Sequence, residues 1–313
     1  MPLRHPLRTA LRAALRAARR SALRVPSAAP RPGRRSAPAA LLPAARLPAA
    51  RLPAAALLAA ALLLGGPGAP AARAEDAPSA MEQARAAKLR DLRRDVRKWA
   101  QGPWAAEHED DLLKALSALE ALGGLPAAQA AIEALHVQDA DVRDRACALV
   151  DGVHDPSLVA ALGALLVDKD LRRDTDLRLR VARSLGVQGL VEAIPHLVLL
   201  VQDEPATVVA AACTSLAAFG QAPTALKREA VRRMVDIYES TWNLMNSVRP
   251  EDRLLAKVAY EDWEVFHKPM REALRKLTLQ ALTYPKDWRR WWNDHKKDRE
   301  WKPGAPAPAG LPK

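Results

Sequence analysis

Aromatic residues are scarce. Phe, Trp and Tyr make up 4% of the 313 residues, and eight of them are Trp. Cysteine is scarcer still, with only Cys147 and Cys213. An exported chain of this size that relied on disulfides would carry more. Strand-type alternation is nearly absent, which argues against a β or α/β fold. Several chemical signatures are missing too. The seven histidines include no His-Glu-x-x-His and no His/Cys grouping at zinc spacing. There is no Gly-x-Ser-x-Gly, no phosphate-cradling glycine loop and no distinctive Ser/His pair.

Acid is absent from the first 74 residues, which hold 13 arginines. The chain has 48 Lys and Arg against 36 Asp and Glu, for a net charge of +12. Beyond Ala74 the balance is 35 against 36, so the rest of the chain makes no global electrostatic case for nucleic acid. The longest apolar run, Leu52 to Leu64, spans 13 residues and follows Arg46 and Arg51. A Gly/Pro break and Ala72-Arg73-Ala74 come next. A basic flank, a short apolar core and small residues before the break are the parts of a secretory signal. The expectation is export, periplasmic or secreted, with cleavage after Ala74; the alternative is membrane anchoring by residues 52–64. The Arg-rich stretch before Arg46 also fits a transit peptide, or a start of translation later than Met1.

What is present is helical periodicity, and it repeats. Val142, Leu177 and Val208 each open a unit. Four residues on stand Ala146, Val181 and Ala212; five on, Cys147, Ala182 and Cys213; eight on, Val150, Leu185 and Leu216. Each unit then turns near Gly152, Gly186/Gly189 or Gly220, and a second apolar helix follows. An earlier copy starts at Leu112 and continues through Leu116, Ser117 and a turn at Gly123-Gly124, but Glu120 breaks its pattern. One helical hairpin cannot bury its apolar face alone, so stacked hairpins share a core. The two cysteines hold the same position two repeats apart, which places them ~20 Å from each other, beyond disulfide reach. They read as buried small apolar residues.

The segments "DVRDRACALVDGVHDPSLVAAL" and "DLRLRVARSLGVQGLVEAIPHL" resemble HEAT-like repeats, including the type named after phycobilisome lyases. The resemblance rests on Asp-Val/Leu-Arg, the small pair, Leu185-Gly186 and Ala193-Ile194-Pro195. It implies an all-α, right-handed α-solenoid of HEAT-like hairpins. "REALRKLTLQALTYPKDWRRWW" resembles the closing segment of exported bacterial HEAT-repeat proteins, with Leu279-Gln280-Ala281 where a glycine-containing turn is expected.

The domain plan that follows is a targeting region over 1–74 and a charged helix within 75–106. A repeat array over 107–282, a Trp-rich capping helix over 283–301 and a disordered tail over 302–313 complete it. In the charged segment, Trp99 and Trp104 are placed to dock it onto the first repeat. Late in the array, Pro250 and Pro269 are each expected to start a helix. Trp288, Trp291, Trp292 and His295 fall on one helical stripe and read as the cap, buried against 269–282.

His108-Glu109-Asp110-Asp111 reads as an acidic first helical turn. The acids of Asp168–Asp176 read as caps and solvated charge, because Lys169, Arg172 and Arg173 interleave them.

The functional expectation is a non-catalytic, monomeric scaffold that binds a protein partner. Its concave face would come from the second helices, roughly 127–137, 157–167, 190–202 and 223–239. Candidate face residues are Glu133, His136, Glu192, His196, Arg228 and Arg232. No catalytic, cofactor-binding or metal-binding residue is expected. Two rivals remain: a HEAT-like lyase-type enzyme, and an anchored protein whose basic, Trp-rich C-terminal region binds an anionic surface or nucleic acid.

Overall fold

The computed structural model describes residues 79–100, 107–169, 171–203 and 205–302. The region 1–74 expected to serve targeting, Trp104 and the tail beyond Lys302 lie outside the described residues.

The chain forms α1 (Ala80–Ala100), α2 (Glu109–Leu122), α3 (Leu125–Ile132), α4 (Ala140–Asp151), α5 (Pro156–Val167) and α6 (Thr175–Gln188). It continues through α7 (Ala193–Asp203), α8 (Ala206–Leu216), α9 (Thr224–Met245), α10 (Arg253–Thr278) and α11 (Pro285–His295). A 3₁₀ turn, Glu133–His136, extends α3, and another, Ala217–Phe219, extends α8. No strand occurs among the described residues.

Boundaries follow local chemistry. Asp139, Asp155 and Asp174 cap α4, α5 and α6, accepting from the backbone N–H of Val142, Ser157 and Leu177 at 2.8, 2.8 and 3.0 Å. Pro126, Pro156 and Pro285 sit in first turns, where an N–H has no helical acceptor. Gly189 ends α6 in the left-handed conformation (φ 65°).

The helices stack as an all-α solenoid in two layers. In the first layer α2, α4, α6, α8 and α10 pack successively; in the second, α3, α5, α7, α9 and α11 do so. Helix α1 lies against the first hairpin, touching α2, α3 and the following 3₁₀ turn. Val142, Ala146 and Val150, with their counterparts in α6 and α8, are buried, so the repeat register sets the core. Cys213 is buried but Cys147 only half-buried, and both thiols are free. Gly186 is not a turn residue. It lies inside α6, where a Cβ would come within 2.5 Å of Ser215 Oγ, and Ser215 Oγ donates to Ala182 O at 2.7 Å. Close helix approach explains that glycine.

Two further expectations fail. Pro269 does not start a helix; it lies inside α10. Its ring removes the bond to the Val265 carbonyl, and Val265 lies on the exposed side of the helix. Trp263, Phe266, Met270, Ala273 and Leu277 form one buried stripe across the proline, and tertiary packing holds both halves in line. Second, α11 packs principally on α9 rather than on residues 269–282. Arg289 fixes this pairing through Asp236 at 2.6 Å and Glu239 at 2.7 Å. The Leu279-Gln280-Ala281 segment does make the turn: Leu279 takes the left-handed position at the end of α10 (φ 62°), where a glycine would sit without strain.

Candidate interaction surface

The two layers differ in surface chemistry. The first is laced by charge. Arg145 of α4 pairs with Glu120 of α2, and Arg180 of α6 pairs with Asp144 of α4 and with Asp176. Buried Arg143 of α4 reaches Asp174 at 2.5 Å and Asp176 at 3.0 Å. Burial opposes ionisation of Asp174, but the Arg143 hydrogen bonds and charge, with the Leu177 N–H, outweigh it and hold the carboxyl below its ordinary value. Gln188, buried at the end of α6, donates to Val150 O at 2.9 Å and ties the end of α4 to the next repeat.

The second layer presents no such lattice over α5 and α7. Ser157, Ala160, Ala164 and Val167 form the exposed stripe of α5. Pro195 and Leu199 are exposed on α7. None is charged. Val167 is 66% exposed and Leu199 47%. Gly163 lets the two helices meet under this face: a Cβ there would lie 2.3 Å from His196 Cε1. The His196 ring is thereby half-buried, and burial pushes its pKa down.

The candidate face residues are spread along this second layer. Glu133 lies in the 3₁₀ turn after α3 and pairs with Arg97 of α1 at 2.6 Å. His136 ends that turn, half-buried. Glu192 is exposed in the turn before α7, and His196 is in the first turn of α7. On α9, Arg228 donates to Asp298 O at 2.7 Å, and Arg232 makes a two-pronged contact with Glu229 at 2.6 and 2.8 Å. No hydrogen bond or ion pair joins any two of these six, and α5, which lies between α3 and α7, contributes none. The apolar residues Val167 and Leu199 escaped a search for polar face residues. Their signal was the uncharged run from Pro156 to Val167.

At the end of the array Trp288, Trp291 and Trp292 are buried. A fourth ring, Trp301, joins them edge-on, 5.4 Å from Trp291 and 6.3 Å from Trp292, and its Nε1 donates to His295 O at 3.1 Å. Helical periodicity missed Trp301 because it follows α11 rather than belonging to it. Basic residues here are partly committed: Arg275 and Lys276 to Glu272, and Arg289 to α9. Buried Lys227 donates to Gly220 O at 2.6 Å beside Trp301.

His108 and Asp111 pair in the first turn of α2. No three His, Cys, Asp or Glu side chains converge among the described residues, and no described helix is long and apolar enough to cross a membrane.

No curated protein and no solved structure matches the chain. Residues 128–218, from α3 to the 3₁₀ turn after α8, match the family model of HEAT repeats, and the hairpins they span are similar to that family's.

Proposed function

We propose that the protein is a non-catalytic scaffold that docks a protein partner on the outer face of α5 and α7. The observation carrying this reading is the contrast between layers. Two consecutive second-layer helices leave Val167 and Leu199 exposed within an uncharged stripe, while the first layer is cross-linked by ion pairs. HEAT arrays commonly serve protein interaction, which supports the reading. A contiguous exposed apolar surface on a folded chain marks an interaction site.

The test is affinity capture with the wild type and with Val167→Ser/Leu199→Ser, followed by identification of retained proteins. A partner retained by the wild type and lost by the double variant supports the reading. Identical retention by both sinks it. Helix α11, with its Trp stripe on one side and Arg290 and Asn293 exposed on the other, is proposed as the cap of the array. Export with cleavage after Ala74 is also proposed, and N-terminal sequencing of the protein from its own cells checks it.

A further inference from the structure

Residues 296–302 run on from α11 and form a strap at the end of the array. One side chain anchors it. Trp301 is 7% exposed and sets its ring edge-on to Trp291 and Trp292, with the Lys227 ammonium 6.0 Å from the ring centre. The strap's remaining contacts with α9 and α10 run through its main chain. Arg228 of α9 donates to Asp298 O at 2.7 Å, and Gln280, just beyond α10, donates to Lys302 O at 2.8 Å. The charged side chains of the strap take no part. Lys296, Lys297, Arg299, Glu300 and Lys302 are exposed, and neither they nor Asp298 form an ion pair among the described residues. A cleft of about 630 Å³ is lined by Gln280, Trp291 and His295 together with Asp298 to Lys302, so the strap bridges open space rather than packing flush.

Closure also carries a penalty on the array side. Lys227 is 6% exposed, yet among the described residues its ammonium meets only the Gly220 carbonyl and the Trp301 ring. Burial of a charge without a carboxylate is costly, and it lowers the Lys227 pKa. Withdrawing Trp301 lets water back to the ammonium. We infer that the end of the array is a peptide-binding socket, built from Lys227, Arg228, Gln280, Trp291 and Trp292, which the chain's own residues 296–302 occupy reversibly. The strap shows what the socket accepts: one tryptophan ring with a backbone carbonyl on either side of it, and little demand on the neighbouring side chains. While closed, it keeps Arg228 and the edges of Trp291 and Trp292 from any other contact. This socket belongs to α9, α10 and α11 and stands independently of the docking proposed for α5 and α7.

The probe is a fluorescein-labelled peptide of residues 296–302, Lys-Lys-Asp-Arg-Glu-Trp-Lys, titrated with the full chain and followed by anisotropy. A socket filled by its own chain binds a second segment only in proportion to its open fraction. The full chain carrying Trp301→Ala should therefore bind the peptide roughly tenfold more tightly than the wild type. A peptide carrying Trp301→Ala should bind neither chain. A folded Trp301→Ala chain that binds the peptide no more tightly than the wild type, or that binds both peptides alike, would overturn the inference. Where circular dichroism shows that this variant has lost its fold, fluorine NMR of the wild type labelled with 5-fluorotryptophan decides. The Trp301 resonance, assigned with Trp301→Phe, should move to a solvent-exposed position as unlabelled peptide is added in excess. A resonance that stays in place overturns the inference.

Discussion

Arg143 and Asp174 join consecutive repeats through one carboxylate that does two jobs. Asp174 caps α6 through the Leu177 N–H at 3.0 Å and holds buried Arg143 of α4 at 2.5 Å. Asp139 occupies the same place one repeat earlier, and Pro205 one repeat later, so the charged form of the joint lies between the second and third hairpins. Replacing Asp174 with Ala removes the cap and leaves a buried guanidinium with only Asp176. The expected loss is about 2–4 kcal/mol, read from urea denaturation. Asp174→Asn, which can still cap, should lose clearly less. Equal losses would mean that the cap contributes nothing and the ion pair carries the whole effect.

Two pH windows separate two groups. The unfolded Asp174 carboxyl titrates near 3.8 and the folded one lower, so its contribution is complete above about pH 4 and is lost as pH falls below that. His196 acts at higher pH. Its folded pKa lies below 6.5, so the unfolded chain takes up the proton first, and stability declines as pH drops from 7 through 6.5 toward the folded value. Melting temperature measured between pH 7.5 and 5 should fall in the wild type and stay flatter in His196→Gln. Parallel curves would show that the ring is not held against Gly163.

Leu279 carries the left-handed strain at the end of α10. Leu279→Gly relieves roughly 1–2 kcal/mol of strain and gives back about half of that in unfolded-chain entropy. A net gain of about 0.5–1 kcal/mol is expected. A loss of stability would show that the exposed leucine makes packing contacts that matter more than its backbone.

The end of the array should loosen locally. Arg289→Ala breaks the link from α11 to Asp236 and Glu239. In a solenoid each repeat depends on its neighbours only, so hydrogen exchange should accelerate over 285–302 and remain unchanged over α4 to α7. Iodide should quench Trp291 and Trp292 poorly in the wild type and better in this variant. Uniform acceleration along the chain would refute nearest-neighbour stacking.

The thiols report the repeat register. Burial pushes Cys147 up to about 11 and Cys213 higher still. Both should alkylate in denaturant without reductant, and in the folded protein both should react slowly, Cys213 the slower. Protection of neither in the folded state would contradict the burial of Cys213.

Much of the fold was legible because burial repeats. Positions such as Val142, Leu177 and Val208 mark the core wherever hairpins stack, and the spacing of Trp288, Trp291 and Trp292 marks a buried stripe. Pro269 misled because propensity is local, whereas the stripe from Trp263 to Leu277 is satisfied by α8 and α9. The partner of α11 was not legible either: periodicity tells which side of a helix is apolar, not which helix covers it. The face was harder still. Glu133, Arg228 and Arg232 look available in sequence, yet each has a partner distant in the chain or one turn away. Val167 and Leu199 look like core, and only the stacking shows that they point outward.

Site-specific photo-crosslinking tests the central claim most directly. A benzoylphenylalanine placed at Ala164 on the exposed stripe of α5 is compared with one at Ala148, exposed on α4, in the presence of the captured partner. The account predicts a covalent adduct from position 164 and none from position 148. An adduct from position 148 alone would contradict it and move the docking surface to the charged layer.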